Sequence, residues 1–334
     1  MKTFQTILLF LLLLNYLPAQ NSHAIERLIE RIPTSDSLEK DIGLLWEHFE
    51  IDQSQLTPYK KVLNKNMNQV LASNSSPFNS FHLALEMCNA DLLNINKAAD
   101  QQIIRYQQKI RDMLKQEADY QQWIWDDTAY AEYRYQSGVL LDLMSHLKSK
   151  ASTVELLASY THFLDMRLKF FALKSLVEKK IAVSPYSFRA IAAEDETREL
   201  LFNLLEKYDM LDQFPKEYLN QEALSRSDMV NWLIYPTELA RTPDDIELVE
   251  VFTFNYEDVG ETEYYLWKFK SEAEAWKEDG WMVGLSGPYV KKESPSTKSY
   301  GYTFSEFSKL EEKTPKEHFE YIMEMLNNAY DENE

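Results

Sequence analysis

The sequence predicts an α+β protein: an all-helical body, of α–α hairpin repeats or an irregular bundle, followed by a small antiparallel three-stranded sheet with a C-terminal helix. Three observations carry that expectation. Only Gly43 and Gly138 of the seven glycines precede residue 260, while Gly260, Gly280, Gly284, Gly287 and Gly301 crowd the last quarter. Glycine costs about 1 kcal/mol relative to alanine inside a helix and frees the backbone at tight turns, so glycine-poor stretches suit helices. Apolar residues recur at spacings of three and four in the body, as in Ile103, Ile104, Ile110 and Leu114, or Leu140, Leu143, Met144 and Leu147. Beyond residue 246 the period becomes two.

The first element is an export signal. Lys2 precedes an apolar run, Ile7 to Leu14, and then Pro18-Ala19-Gln20, the charged, apolar and small-residue order of a secretory signal. Residues 1–19 are therefore expected to be removed, with cleavage after Ala19 or after Ala24. The run is too short to span a bilayer as a helix, so the expectation is a periplasmic or extracellular protein without a stable membrane anchor.

The helical body is placed at 25–235. Thr57-Pro58 and Ser184-Pro185 set a capping hydroxyl before proline at the first helical position. Asp36-Ser37-Leu38-Glu39 and Ser152-Thr153-Val154-Glu155 have capping-box spacing. Residues 236–245, with Pro236 and Pro243, form a stiffened connection. In the module at 246–330, Glu247 to Tyr256 alternates Val249, Val251 and Thr253 against Phe252 and Phe254. Glu263 to Lys270 sets Tyr265, Trp267 and Phe269 opposite Leu266, Lys268 and Lys270. A third strand, Trp281 to Gly287, enters through the turn dipeptide Asp279-Gly280. Thr314-Pro315-Lys316-Glu317 caps the last helix, whose Phe319, Ile322, Met323 and Leu326 are expected to cover Trp267 and Phe269.

Composition narrows the function classes. A net charge of −19 repels phosphates and anionic lipid heads, which argues against nucleic-acid partners and membrane surfaces. Cys88 is the one cysteine, so no disulfide forms within the chain, and its apolar setting reads as a buried small hydrophobe.

A faint internal echo follows. Leu143-Met144-Ser145-His146-Leu147-Lys148-Ser149-Lys150 resembles Leu173-Lys174-Ser175-Leu176-Val177-Glu178-Lys179-Lys180 and Leu201-Phe202-Asn203-Leu204-Leu205-Glu206-Lys207-Tyr208. Over about residues 80–235 the chain thereby resembles HEAT-type helical-repeat proteins, although its period is shorter and the echo involves one helix per unit. That resemblance implies a stacked scaffold with an extended binding face.

Catalytic signals are thin. Asp142 and His146, His82 and Glu86, and His162 and Asp165 each offer two ligands at helical spacing, but zinc wants three or four converging ones; no metal and no cofactor is implied. Gly284-Leu285-Ser286-Gly287-Pro288 departs from a nucleophile elbow at Pro288. Trp123-Ile124-Trp125-Asp126-Asp127 sets carboxylates among aromatics, which leaves open a carboxylate-dependent hydrolase acting on a polysaccharide or peptide. No catalytic residue is assigned. The favoured expectation is a non-enzymatic interaction or scaffold protein whose partner is another protein or peptide, with Trp123, Trp125, Tyr264, Trp276, Trp281 and Tyr289 as candidate contacts.

Overall fold

A computed structural model describes residues 18–114, 128–235, 237–292, 295–297 and 303–331. Helices run from α1 (Pro18–Arg31) through α2 (Leu38–Asp52), α3 (Lys60–Leu71), α4 (Phe78–Asn89), α5 (Lys97–Leu114), α6 (Thr128–Leu143), α7 (Lys150–His162), α8 (Met166–Glu178), α9 (Pro185–Ala193), α10 (Asp195–Lys207) and α11 (Gln221–Leu233). A four-stranded sheet follows, β1 (Asp245–Tyr256), β2 (Gly260–Lys270), β3 (Met282–Val290) and β4 (Phe304–Lys309), and then α12 (Pro315–Asp331). The α+β class and its order are those expected, with one strand more: β4 extends an antiparallel sheet ordered β1-β2-β3-β4.

Local signals act largely where the residues predict. Ser184 Oγ accepts from the Tyr186 amide ahead of Pro185 at the start of α9. Thr314 and Glu317 close a reciprocal capping box on α12, the Thr314 amide donating to Glu317 Oε2 at 2.8 Å and the Glu317 amide to Thr314 Oγ1 at 3.4 Å. Two starts shift. Residues 53–59, including Pro58, form a 3₁₀ segment and α3 begins only at Lys60. At α7 the hydroxyl of Ser149, not Ser152, accepts the first-turn amide. Cys88 is buried in α4, and burial pushes its thiol up to about 12.

The described residues gather into two compact units, one within residues 18–113 and 135–159, the other within 128–134 and 160–331, together with Leu114. In the first, Asn64 and Asn68, one turn apart on α3, clamp the loop before α5. Asn64 exchanges hydrogen bonds with the Leu92 carbonyl and Asn94 amide, and Asn68 with the Asn94 carbonyl and Asn96 amide, at 2.6–2.9 Å. These bonds satisfy backbone groups that have no helical partner.

In the second unit the sheet lies between two helices, which corrects one expectation. Trp267 and Phe269 are buried, but against Met229, Val230 and Leu233 of α11. The C-terminal helix covers the other face, packing Phe319 and Ile322 on Tyr264, Leu266, Val283 and Leu285. Each helix can cover only one face of a pleated sheet, and β3, Met282-Val283-Gly284-Leu285, is apolar on both. Gly284 permits the close approach of α11: a Cβ there would lie 2.5 Å from Met229 Cε. Gly287 has φ of 116°, and its Cβ would meet the Glu263 carbonyl oxygen at 2.8 Å. Helix α11 and the sheet thus share one core, which joins the end of the expected helical body to the expected module.

Candidate functional site

Ionisable side chains of α6, α8, α10 and α11 converge inside the second unit, where α11 packs on the sheet. Asp165, the N-cap of α8, accepts from the amides of Arg167 and Leu168. Its carboxylate also takes Arg134 of α6 in a two-pronged contact, and the Tyr130 hydroxyl at 3.2 Å. Arg167 Nη2 donates to Asn231 Oδ1 at 2.5 Å, and Asn231 Nδ2 donates to Glu199 Oε2 at 3.2 Å. Among the described residues Arg167 Nε has no hydrogen-bond partner, and it sits 3.8 Å from Glu196 Oε2. On α11, one turn before Asn231, Asp228 accepts from the Tyr289 hydroxyl of β3 and from Thr303 Oγ1 at 2.5 Å.

Four carboxyl groups therefore share this interior with two guanidiniums. Burial, with the nearby Asp165 charge, raises Glu196 to about 7, against the opposing pull of Arg134 and Arg167. Burial and then Asp228 raise Glu199 to about 7. Asp228 is itself raised by burial, although the Thr303 and Tyr289 hydroxyls favour its charge. Desolvation lowers Arg167. Each shift reflects the cost of a charge in a medium far less polarisable than water.

Chemically, these groups tie elements together. Asp165 closes α8 onto α6, Asn231 links α8, α10 and α11, and Asp228 pins α11 to the sheet. Nearby, a polar cavity of about 510 Å³ is lined by residues including Asp195, Arg198, Tyr218, Glu222 and Arg226. Its cations are already engaged: Arg198 donates to the carbonyls of Ala192, Ala193 and Ala223, and both arginines hold Asp195.

A second constellation, unforeseen in the sequence, joins β4 to α12. Ser308, His318 and Glu306 meet with the side chains of His318 and Glu306 fully buried. A catalytic triad needs serine and carboxylate on opposite ring nitrogens. Here both lie on His318 Nδ1, and Nε2 faces the Leu310 carbonyl at 3.2 Å, so the group fastens the helix to the strand.

The candidate contacts separate by burial. Tyr264 and Tyr289 are core residues, a correction to their expected place at a partner surface; one packs under α12, the other holds Asp228. Alternation places Tyr264 on the second strand, while Tyr289 lies beyond the expected end of the third strand at Gly287; β3 runs on to Val290, and a second covering helix is not visible in either pattern. Trp276 stacks on Phe307 at 4.9 Å, half-buried. Trp281, also half-buried, lies beneath the ammonium groups of Lys268 and Lys270 at 4.3 and 5.1 Å. Trp123 and Trp125 fall outside the described residues.

The pairs considered as metal ligands have other partners. His82 Nδ1 lies 2.7 Å from the Tyr135 hydroxyl, His146 Nε2 is 3.0 Å from Asn89 Oδ1, and Asp165 holds Arg134. Among the described residues no three His, Cys, Asp or Glu side chains are placed so that they could hold a metal ion. Ser286 is buried on β3, where its Oγ accepts from Trp267 Nε1 at 2.9 Å. Among the described residues no helix is long and apolar enough to cross a membrane. No family model, no curated protein and no solved structure matches this chain.

Proposed function

We propose that this chain is an exported protein that acts by binding another protein or peptide, its helices serving as scaffold. One observation carries the reading: the ionisable groups that would do chemistry are enclosed and tied to one another, Glu196 being 5% exposed and Asp165 2%, whereas apolar side chains reach solvent along β1. Enclosed, mutually bonded charges hold a fold together, while exposed apolar side chains beside unpaired strand backbone suit a partner.

The runner-up is a carboxylate-dependent hydrolase, favoured by Glu199 and Asp228, whose pKa values both rise on adjacent helices. The experiment compares wild type with the Glu199→Gln/Asp228→Asn variant on a panel of polysaccharides and unstructured peptides, and follows complex formation in the host's extracellular fraction by cross-linking and size-exclusion chromatography. The proposal expects no turnover and a defined heterocomplex. Turnover by wild type that the double variant loses would replace it with the hydrolase.

A further inference from the structure

Strand β1 is an edge: it pairs with β2, and among the described residues no strand lies on its other side. The outer edge is open only in part. Near the start of the strand Arg226 Nη1 donates to the Ile246 carbonyl at 2.8 Å, and a bulge interrupts the pairing between Leu248 and Glu250. Beyond it, residues 250–256 run without interruption opposite 266–260 of β2.

The direction of the unpaired backbone groups follows from the ladder. In an antiparallel strand, the N–H and C=O of one residue point to the same side, and successive residues alternate. The Lys291 amide donates to the Glu261 carbonyl, so Glu261 faces β3 and its neighbours Gly260 and Thr262 face β1. Their partners, Tyr256 and Phe254, therefore face β2, and Thr253 and Asn255 aim their N–H and C=O outward. The Thr262 hydroxyl, donating to the Phe254 carbonyl, has the same sense.

Side chains along this edge are apolar at the centre and acidic at the ends. Val251, Phe254, Tyr256 and Val259 are 38%, 38%, 42% and 40% exposed. Glu250, and Glu257 and Asp258 in the β1–β2 turn, are exposed and have no ion-pair partner among the described residues. No lysine or arginine occurs from 245 to 267. A second copy of β1 would therefore bring acid against acid or neutral residues in every register, and like charges opposed across strands destabilise the pair. That is how edge strands avoid their own kind.

We propose that residues 250–256 form a strand-addition site for an extended peptide segment with an apolar centre and a lysine or arginine near each end. The glutamates and the aspartate would select the partner, the outward groups of Thr253 and Asn255 would carry the ladder, and Val251 and Phe254 would meet its apolar side chains on the two faces. Glu250 and Glu257 are seven residues apart, about 23 Å in an extended strand, which sets the spacing of the basic residues. This inference rests on the interaction-protein reading and names its partner.

The probe is a fluorescein-labelled peptide, Arg-Val-Thr-Val-Thr-Val-Thr-Lys, titrated against the full chain by fluorescence anisotropy, with a control peptide carrying glutamate at both ends. The basic peptide is expected to bind at least tenfold more tightly than its control, and to weaken as salt rises. Thr253→Pro removes an outward N–H while leaving the β1–β2 ladder intact, and is expected to abolish binding. Should that variant fail to fold, Glu250→Lys/Glu257→Lys, which alters exposed charge alone, is expected to weaken the basic peptide and strengthen the control. Equal binding of the two peptides, no binding of either, or binding indifferent to these variants would overturn the proposal; so would a concentration-dependent dimer lost in Thr253→Pro, which would make a second copy the occupant. Mass spectrometry of the recovered peptide separates the two readings, since cleavage would remove the non-enzymatic function whatever the anisotropy reports.

Discussion

Glu196 and Glu199 lie three residues apart on α10, in an interior where two arginines face four carboxyl groups, and this predicts an unusual pH response. Both are held at about 7 in the folded protein, above the model-peptide value near 4.3. A raised carboxyl pKa means that the folded state binds the proton more tightly than the unfolded chain. The stabilisation is therefore complete below about pH 4.5 and is lost as pH rises through about 7, of order 3 kcal/mol for each group. Thermal melts at pH 5.5 and 8.5 should show lower stability at the higher pH, and Glu196→Gln/Glu199→Gln should flatten that dependence. Identical slopes would mean that the carboxyls are ionised in the fold. The two glycines of β3 offer a second comparison. Gly287→Ala meets a backbone carbonyl at positive φ and should cost about 2–3 kcal/mol. Gly284→Ala presses mainly on the movable end of Met229 and should cost about 1 kcal/mol in the same denaturation assay.

Among elements, the sheet and its two helices are the informative group. Trp267→Ala should cost about 3–5 kcal/mol, as for other large buried aromatics. The covering helix decides which pairs couple. Phe319 stacks on Phe252 at 4.5 Å, so the cycle of Phe319→Ala with Phe252→Ala should show an interaction energy of about 0.5–3 kcal/mol. Trp267→Ala should couple with Met229→Ala in its own cluster and be additive with Phe319→Ala across the sheet. Coupling of Trp267 with Phe319 would restore the arrangement inferred from alternation alone. That inference failed for a definite reason: Trp267 and Phe269 mark one face as aromatic, but Tyr264, Leu266, Val283 and Leu285 make the other nearly as apolar. Two helices carry matching stripes, and nothing in the strand says which takes which face.

For the whole molecule, the prediction concerns where the mature chain begins. N-terminal sequencing of protein recovered from its host should start after Ala19 or Ala24. Either start retains Ile25, Leu28, Ile29 and Ile32, the buried residues of α1 and the turn after it. Recovery of an intact Met1 would remove the export reading and, with it, an extracellular partner.

The sequence by itself determined the class of the fold, the order of helices before strands, and several element boundaries, because these rest on local physics. Glycine-poor stretches favour helix, alternation favours strand, and Ser184-Pro185 and Thr314 with Glu317 start their helices, although the similar Thr57-Pro58 falls inside a 3₁₀ segment. Tertiary structure alone decided the candidate site. Asp165, Glu196, Glu199 and Asp228 look like solvated acids in any window of the chain; burial, a property of elements far apart in sequence, is what raises three of them and ties them to Arg134, Arg167 and Tyr289. The open edge of β1 belongs to both levels: its alternation is legible in the sequence, but that it ends the sheet follows only from the pairing of the other three strands.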